Sequence, residues 1–292
     1  MNHFIMKGLI LISLMQLTAC AQEATDTTYK RPEKVDGFKV QWEKVGNGVE
    51  FCETDAPKAS FIGDSRITML KINPGKVDFD LFCSTQLDKK PRPVNVWADT
   101  MDLDIVFNAG MYDMAKPLIS RGLLKNKGHV NQKELAPEWN TMFAINPKDS
   151  TKKDVSLVDL QFTPYETIKN QYTSFAQGLR MIDGNGNPMD WKKRVQSCSM
   201  LVCAQDKAGY FYIFFTRSPY VHNTMIHFLD EYFPTELVNA IYMEGGPETS
   251  LYAHIGDFCL QKVGSYVSNT YPTDSNVEFW PLPNVIGIRL KD

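Results

Sequence analysis

Two short glycine-containing segments hold most of the side chains with chemistry to offer. The first is Phe107-Asn108-Ala109-Gly110-Met111-Tyr112-Asp113, and the second is Tyr242-Met243-Glu244-Gly245-Gly246-Pro247-Glu248-Thr249-Ser250. Each follows an apolar, β-prone run, so each reads as a strand that ends in a tight turn. Glycine there lets backbone N–H groups approach a ligand closely, and Glu244, Asp113 and Glu248 bring carboxylates. A carboxylate beside such donors can stabilise a developing cation, activate water or pass a proton while an anion is held. Two cations sit on or just after strand-like runs. Arg180 lies within Gly178 to Ile182, and Arg217 follows Tyr210 to Thr216. A guanidinium at either place suits an anion. The pattern predicts that the two turns share one cleft.

The elements that must carry these turns are mostly short and β-prone. Phe38 to Trp42, Val49 to Cys52, Ile67 to Ile72 and Val77 to Phe82 read as strands, and Asn73-Pro74-Gly75-Lys76 predicts an antiparallel hairpin between the last two. After two prolines, Val94, Trp97 and Met101 recur at helical spacing, so a helix leads into the strand Asp104 to Phe107 and the first turn. Thr141 to Ile145, Val155 to Val158 and Gly178 to Ile182 predict further strands. Asp183 to Pro188 closes the last of them as a turn; its Asp-x-Asn-x-Asn order has neither the glycine nor the distal glutamate of a calcium loop. Cys198 to Ala204 and Tyr210 to Thr216 predict a hairpin, Thr224 to Tyr232 an amphipathic helix, and Glu236 to Ala240 a short helix before the second turn. Val285 to Leu290 predicts a closing strand. Strands outnumber helices without regular βαβ alternation. The predicted class is therefore α+β, a single domain with a mixed, largely antiparallel sheet and a few packing helices.

At the amino terminus, Lys7, the apolar run Gly8 to Met15 and Leu17-Thr18-Ala19-Cys20 have the order of a bacterial lipoprotein signal, with Cys20 the lipidated residue. The apolar run is too short to span a bilayer. The expected organisation is a signal peptide over 1–19, lipidated Cys20 with a polar tether over 20–36, and one folded domain over 37–292. The expected location is the bacterial cell envelope, with the protein lipid-anchored to a membrane. With a net charge of −3 and no Lys/Arg cluster, the chain lacks the electrostatic footprint of a nucleic-acid binder. With 43% apolar residues it can bury a large core. Beyond Cys20, an odd number of cysteines remains: Cys52, Cys83, Cys198, Cys203 and Cys259. Cys198 and Cys203 have opposite parity on one strand, which argues against a bridge between them. No Cys-x-x-Cys pair is present and no metal site is predicted; no cofactor is called for, and a divalent cation stays open.

The two turns together resemble the Asn-Gly-Gly-aromatic and Leu-Asp-Gly-Gly-x-Ser segments of the phosphodiester glycosidases, and the resemblance extends in order over about residues 65–290. Ala109 stands where that family has glycine, and Glu244 where it has aspartate. By length, its hairpin arginine falls at Ser197; whether Arg194 or Arg180 takes its place stays open. The resemblance implies hydrolysis of the bond between a sugar's anomeric carbon and a phosphodiester oxygen, in a surface glycan or glycoconjugate. It implies Glu244 as the first carboxylate, Asp113 as the second and Glu248 as the third. Arg180, Arg217, Gly245 and Gly246 become donors to phosphate. Asn108 holds its turn or meets a sugar hydroxyl, and Gly110 shapes the same turn. Tyr112 stacks on a sugar or packs, and Thr249 and Ser250 cap a helix or meet phosphate. The alternative is a glycan-binding or polysaccharide-assembly lipoprotein that keeps the fold without turnover.

Overall fold

Alternating runs such as Val77–Cys83 and continuous buried runs such as Ser197–Asp206 both fold as strands in the computed structural model, which describes residues 37–191 and 195–291. The expected signal segment, Cys20, the expected tether and Arg194 lie outside the described residues. The strands form two main sheets, and their pairings are antiparallel. The larger, eleven-stranded sheet is centred on Ser197–Asp206 and Leu237–Gly245; the smaller has five strands, with Ile105–Asn108 in the middle between Ser250–Ile255 and Asn284–Leu290. The α+β class expected from the sequence holds, with the strands divided between two sheets.

One apolar core lies between the sheets. Phe79 and Phe107 from the smaller sheet meet Phe143 and Phe211 from the larger, with ring centroids 5.2–6.4 Å apart. All four rings are buried, which stabilises the sandwich by roughly 2–3 kcal/mol per ring. The outer face of the smaller sheet is covered by the helix Val94–Met101. Its Val94, Trp97, Ala98 and Met101 follow the i, i+3, i+4, i+7 stripe of an amphipathic helix, and the buried Trp97 indole donates to the Leu282 carbonyl at 3.0 Å. The outer face of the larger sheet is covered by His222–His227, which runs into a π turn over Phe228–Tyr232. Among the described residues no helix is long and apolar enough to cross a membrane.

Three local expectations are corrected. The strands Arg66–Ile72 and Val77–Cys83 are not a hairpin: the first pairs with Val49–Asp55 and Phe211–Val221, the second with Asn284–Leu290 in the other sheet. The turn over residues 73–76 is present, and Asn73 Oδ1 accepts the Gly75 N–H at 3.0 Å. That turn carries the chain from one sheet to the other, and Leu70 and Ile72 face Val77 and Phe79 through the core. Glu236 to Ala240 is not a helix, because Leu237–Gly245 is held as a strand on both sides by Ser197–Asp206 and Tyr172–Ile182. Phe38 to Trp42 is not a strand; the first strand begins at Glu43, while Phe38 packs as a plug against Phe228 and Phe233. Cys198 and Cys203 do face opposite sides of their strand, toward different core clusters, and Cys52, Cys83, Cys203 and Cys259 are free thiols.

Candidate active site

The two turns meet because the second is the crossover between the sheets. Leu237–Gly245 belongs to the larger sheet and Ser250–Ile255 to the smaller, where Leu251 pairs with Phe107 and Tyr252 with Val106. The link between them is a single 3-10 turn, Gly246–Glu248. Asn108, 1% exposed at the end of its strand, ties the turns together directly. Its Nδ2 donates to the Glu248 carbonyl at 3.0 Å, and its Oδ1 accepts the Ser250 N–H at 2.8 Å. Of the two roles open to Asn108, holding the turn is therefore occupied. Gly110 and Gly246 have φ of +103° and +83°, which side chains rarely adopt, so both turns need glycine at these points.

Beside this junction lies a cleft of about 400 Å³, lined among others by Tyr112, Arg121, Cys198, Tyr242, Glu244, Glu248 and Trp280. Glu244, the last residue but one of its strand, is 7% exposed. Its Oε1 accepts the Gly245 N–H at 3.1 Å. Burial, joined by the Glu248 charge, pushes the Glu244 carboxyl up to about 8, against opposition from the Gly245 N–H and the Arg121 charge. Glu248 is also raised, by burial. The Glu248 charge is thus one of the causes that keep the proton on Glu244. Tyr112 sits at the same place: burial and the charges of Glu248 and Glu244 hold its hydroxyl protonated well above the usual range.

The cleft also has a cation. Arg121 lies just past the strand Lys116–Ser120, and its N–H donates to the Met111 carbonyl at 3.0 Å, which anchors it to the first turn. The exposed guanidinium lines the cleft and makes no ion pair or side-chain hydrogen bond with another described residue.

The other anticipated residues fall elsewhere. Asp113 lies in the hairpin Tyr112–Asp113 and Lys116–Ser120, outside the cleft lining, where its Oδ1 accepts the Ala115 N–H at 2.9 Å. Arg180 is not aimed at the cleft: its Nη1 contacts both oxygens of buried Asp159 at 2.8 and 2.9 Å. Arg217 is also committed, donating to the carbonyls of Val263, Asp274 and Asn276 at 2.9 Å and pairing with the Asp274 carboxylate at 2.8 Å. Thr249 and Ser250 are buried, outside the cleft lining, and lead into a strand, so no helix follows for them to cap. Ser250 Oγ donates to the Glu248 carbonyl at 3.1 Å. The Gly245 N–H is turned to Glu244, as described above, and Gly246 is buried beneath Val267. At Asp183 the loop that resembled a calcium site closes on itself, with Oδ1 accepting the N–H groups of Asn185 and Asn187. Arg121 was not foreseen, although Leu118-Ile119-Ser120-Arg121-Gly122 carries the same strand-end arginine signal that drew attention to Arg217.

Residues 101–289 match the family described as phosphodiester glycosidase. The chain belongs to that family. Among solved structures, the catalytic domain of zebrafish N-acetylglucosamine-1-phosphodiester alpha-N-acetylglucosaminidase, auto-inhibited by its pro-peptide, is similar with a TM-score of 0.53 and 12% identity, over 87% of this chain and 89% of that one. A hypothetical protein from Synechocystis is similar with a TM-score of 0.51 and 12% identity, over 84% of this chain and 62% of that one. At these identities the likeness is one of fold. No curated protein matches the chain. In this phosphodiester glycosidase family member, the two glycine turns meet at Asn108, which contacts Glu248 and Ser250.

Proposed function

We propose that the protein is a hydrolase that cleaves the bond between a sugar's anomeric carbon and a phosphodiester oxygen. The observation that carries this reading is the buried, proton-holding Glu244 beside Glu248, in one cleft with an uncommitted Arg121. Family membership supports it. In this scheme Arg121 binds the phosphodiester anion. The Glu248 carboxylate either attacks the anomeric carbon, giving a glycosyl ester that water then hydrolyses as Glu244 takes back a proton, or itself takes the proton of the water that attacks that carbon. Glu244 gives its proton to the departing oxygen. The carbon–oxygen bond breaks, its electron pair leaves with phosphate, and the water oxygen ends on the sugar. A cleft of about 400 Å³ is of the size that holds one small ligand.

The test is hydrolysis of an N-acetylglucosamine 1-phosphodiester in heavy-oxygen water. The expected result is a phosphomonoester without label; label in the phosphate overturns the glycosidase assignment in favour of phosphorus–oxygen cleavage. Binding of the diester without release of sugar instead identifies the non-catalytic glycan-binding protein.

The reading extends to export and lipid anchoring, supported by Lys7, the apolar run Gly8 to Met15 and the Leu17 to Cys20 motif. A Cys20→Ala variant is expected to lose palmitate labelling and to leave the membrane fraction. Unchanged palmitate labelling and unchanged membrane association of that variant sink the anchor.

A further inference from the structure

Residues 264–280 supply part of the cleft lining, including Val267, Tyr271 and Trp280, with no helix or extended strand of their own. Two side chains hold this irregular stretch in place. The Arg217 guanidinium grips it through the carbonyls of Val263, Asp274 and Asn276 and through the Asp274 carboxylate. Asn276, 6% exposed, binds from within: its Nδ2 donates to the carbonyls of Gly264 and Glu278 at 2.7 and 3.0 Å, while its Oδ1 accepts the Trp280 indole N–H at 3.2 Å. The Asn276 amide also reaches the Pro247 carbonyl of the second turn at 3.4 Å. Tyr271 packs against Trp280 edge to face, centroids 5.8 Å apart and planes at 86°. The indole's one polar atom is thereby satisfied, and the remainder of the ring system is apolar surface on the cleft.

We infer that Trp280 is the ring on which the substrate's sugar stacks, and that Arg217 and Asn276 are positioning residues that hold it there. The inference rests on the glycosidase reading and adds to it the residue that recognises the neutral end of the substrate. A sugar presents a face of C–H groups that gains by covering an aromatic ring, whereas its phosphate needs a cation. One cleft lining offers both, Arg121 for the anion and Trp280 for the neutral ring. Arg217, anticipated from the sequence as an anion ligand, acts instead through the wall that it clamps.

The experiment uses the full chain and a methyl diester of N-acetylglucosamine 1-phosphate. Trp280→Ala is expected to raise KM about tenfold with kcat within about twofold, and Trp280→Phe to restore most of the affinity. Asp274→Asn, which loosens only the ion pair to Arg217, is expected to raise KM by about two- to threefold without changing kcat, a split that a general loss of folded protein does not produce. In the Glu244→Gln background, titration of the same diester is expected to quench tryptophan fluorescence, and Trp280→Phe to abolish that quench. An unchanged KM in Trp280→Ala, in an enzyme that turns the diester over, overturns the stacking role and leaves the hydrolase reading intact. Quenching that depends on Trp280 in a protein without turnover does the reverse, and neither binding nor turnover overturns both.

Discussion

Glu244→Gln is expected to lower kcat for a sugar 1-phosphodiester by about 10²–10⁴-fold, the range of a lost general acid, while the variant folds and still binds the diester. The amide keeps the shape of the carboxyl and an oxygen for the Gly245 N–H, which the carboxyl accepts at 3.1 Å, but it has no transferable proton of useful acidity. In the wild type, kcat/KM is expected to fall as pH rises through about 8, where Glu244 of the free enzyme loses its proton. A rate that climbs through that pH assigns Glu244 the base role instead. Stability carries a matching signature. The carboxyl titrates at about 8 in the folded protein against an ordinary 4.5. Between these values the native state binds more protons than the unfolded chain, so this group's contribution is full below 4.5 and is lost as pH rises through 8. The loss is on the order of 5 kcal/mol. Glu244→Gln has no such slope and is expected to melt above the wild type at pH 9 and close to it at pH 4. Parallel melting curves at both pH values would show that burial does not perturb this carboxyl.

Arg121→Met is expected to lower kcat/KM by about 10²–10³-fold, as the loss of one donor to a developing anion does elsewhere. Lysine at the same place should recover only part, since an ammonium provides the charge without the planar fork. A second readout ties Arg121 to the carboxylates. Its charge opposes the rise at Glu244, so removing it raises Glu244 further and moves the alkaline limb of the rate profile to higher pH. If kcat/KM and the limb both stay where they are in the wild type, Arg121 is only a surface cation. The guanidinium is exposed, so a large effect on melting temperature is not expected, and activity and stability separate cleanly in this variant.

Three arginines show how far local signals reach. Arg121, Arg180 and Arg217 all lie on or just past strands, and each resembled an anion ligand or went unnoticed on that basis alone. What distinguishes them is the company each keeps. Asp159 neutralises Arg180, the carbonyls and carboxylate of a stretch 46–59 residues further on absorb Arg217, and Arg121 has no ion-pair partner among the described residues and lines the cleft. The carboxylates divide in the same manner. Asp113 and Glu244 both follow matched motifs, yet one is in a hairpin outside the cleft lining and the other is 7% exposed at a sheet junction.

By itself the sequence determined the helix that leads to the first turn, the two glycine turns with Asn108 and Glu244 on them, and many of the strands, but not the Ser250–Ile255 and Phe258–Val263 pair. These depend on alternation, helical spacing and the backbone freedom of glycine, which act over a few residues. Tertiary structure decided which sheet each strand joins, as at Val77–Cys83, and which helical-looking stretch is a strand, as at Leu237–Gly245. It decided also that Glu248 rather than Asp113 stands beside Glu244, that Arg121 is the cation left uncommitted, and that Trp280 lines the cleft. The reason is physical: desolvation and charge pairing depend on neighbours brought together from distant parts of the chain, so the proton on Glu244 is a property of the folded cleft and not of its motif.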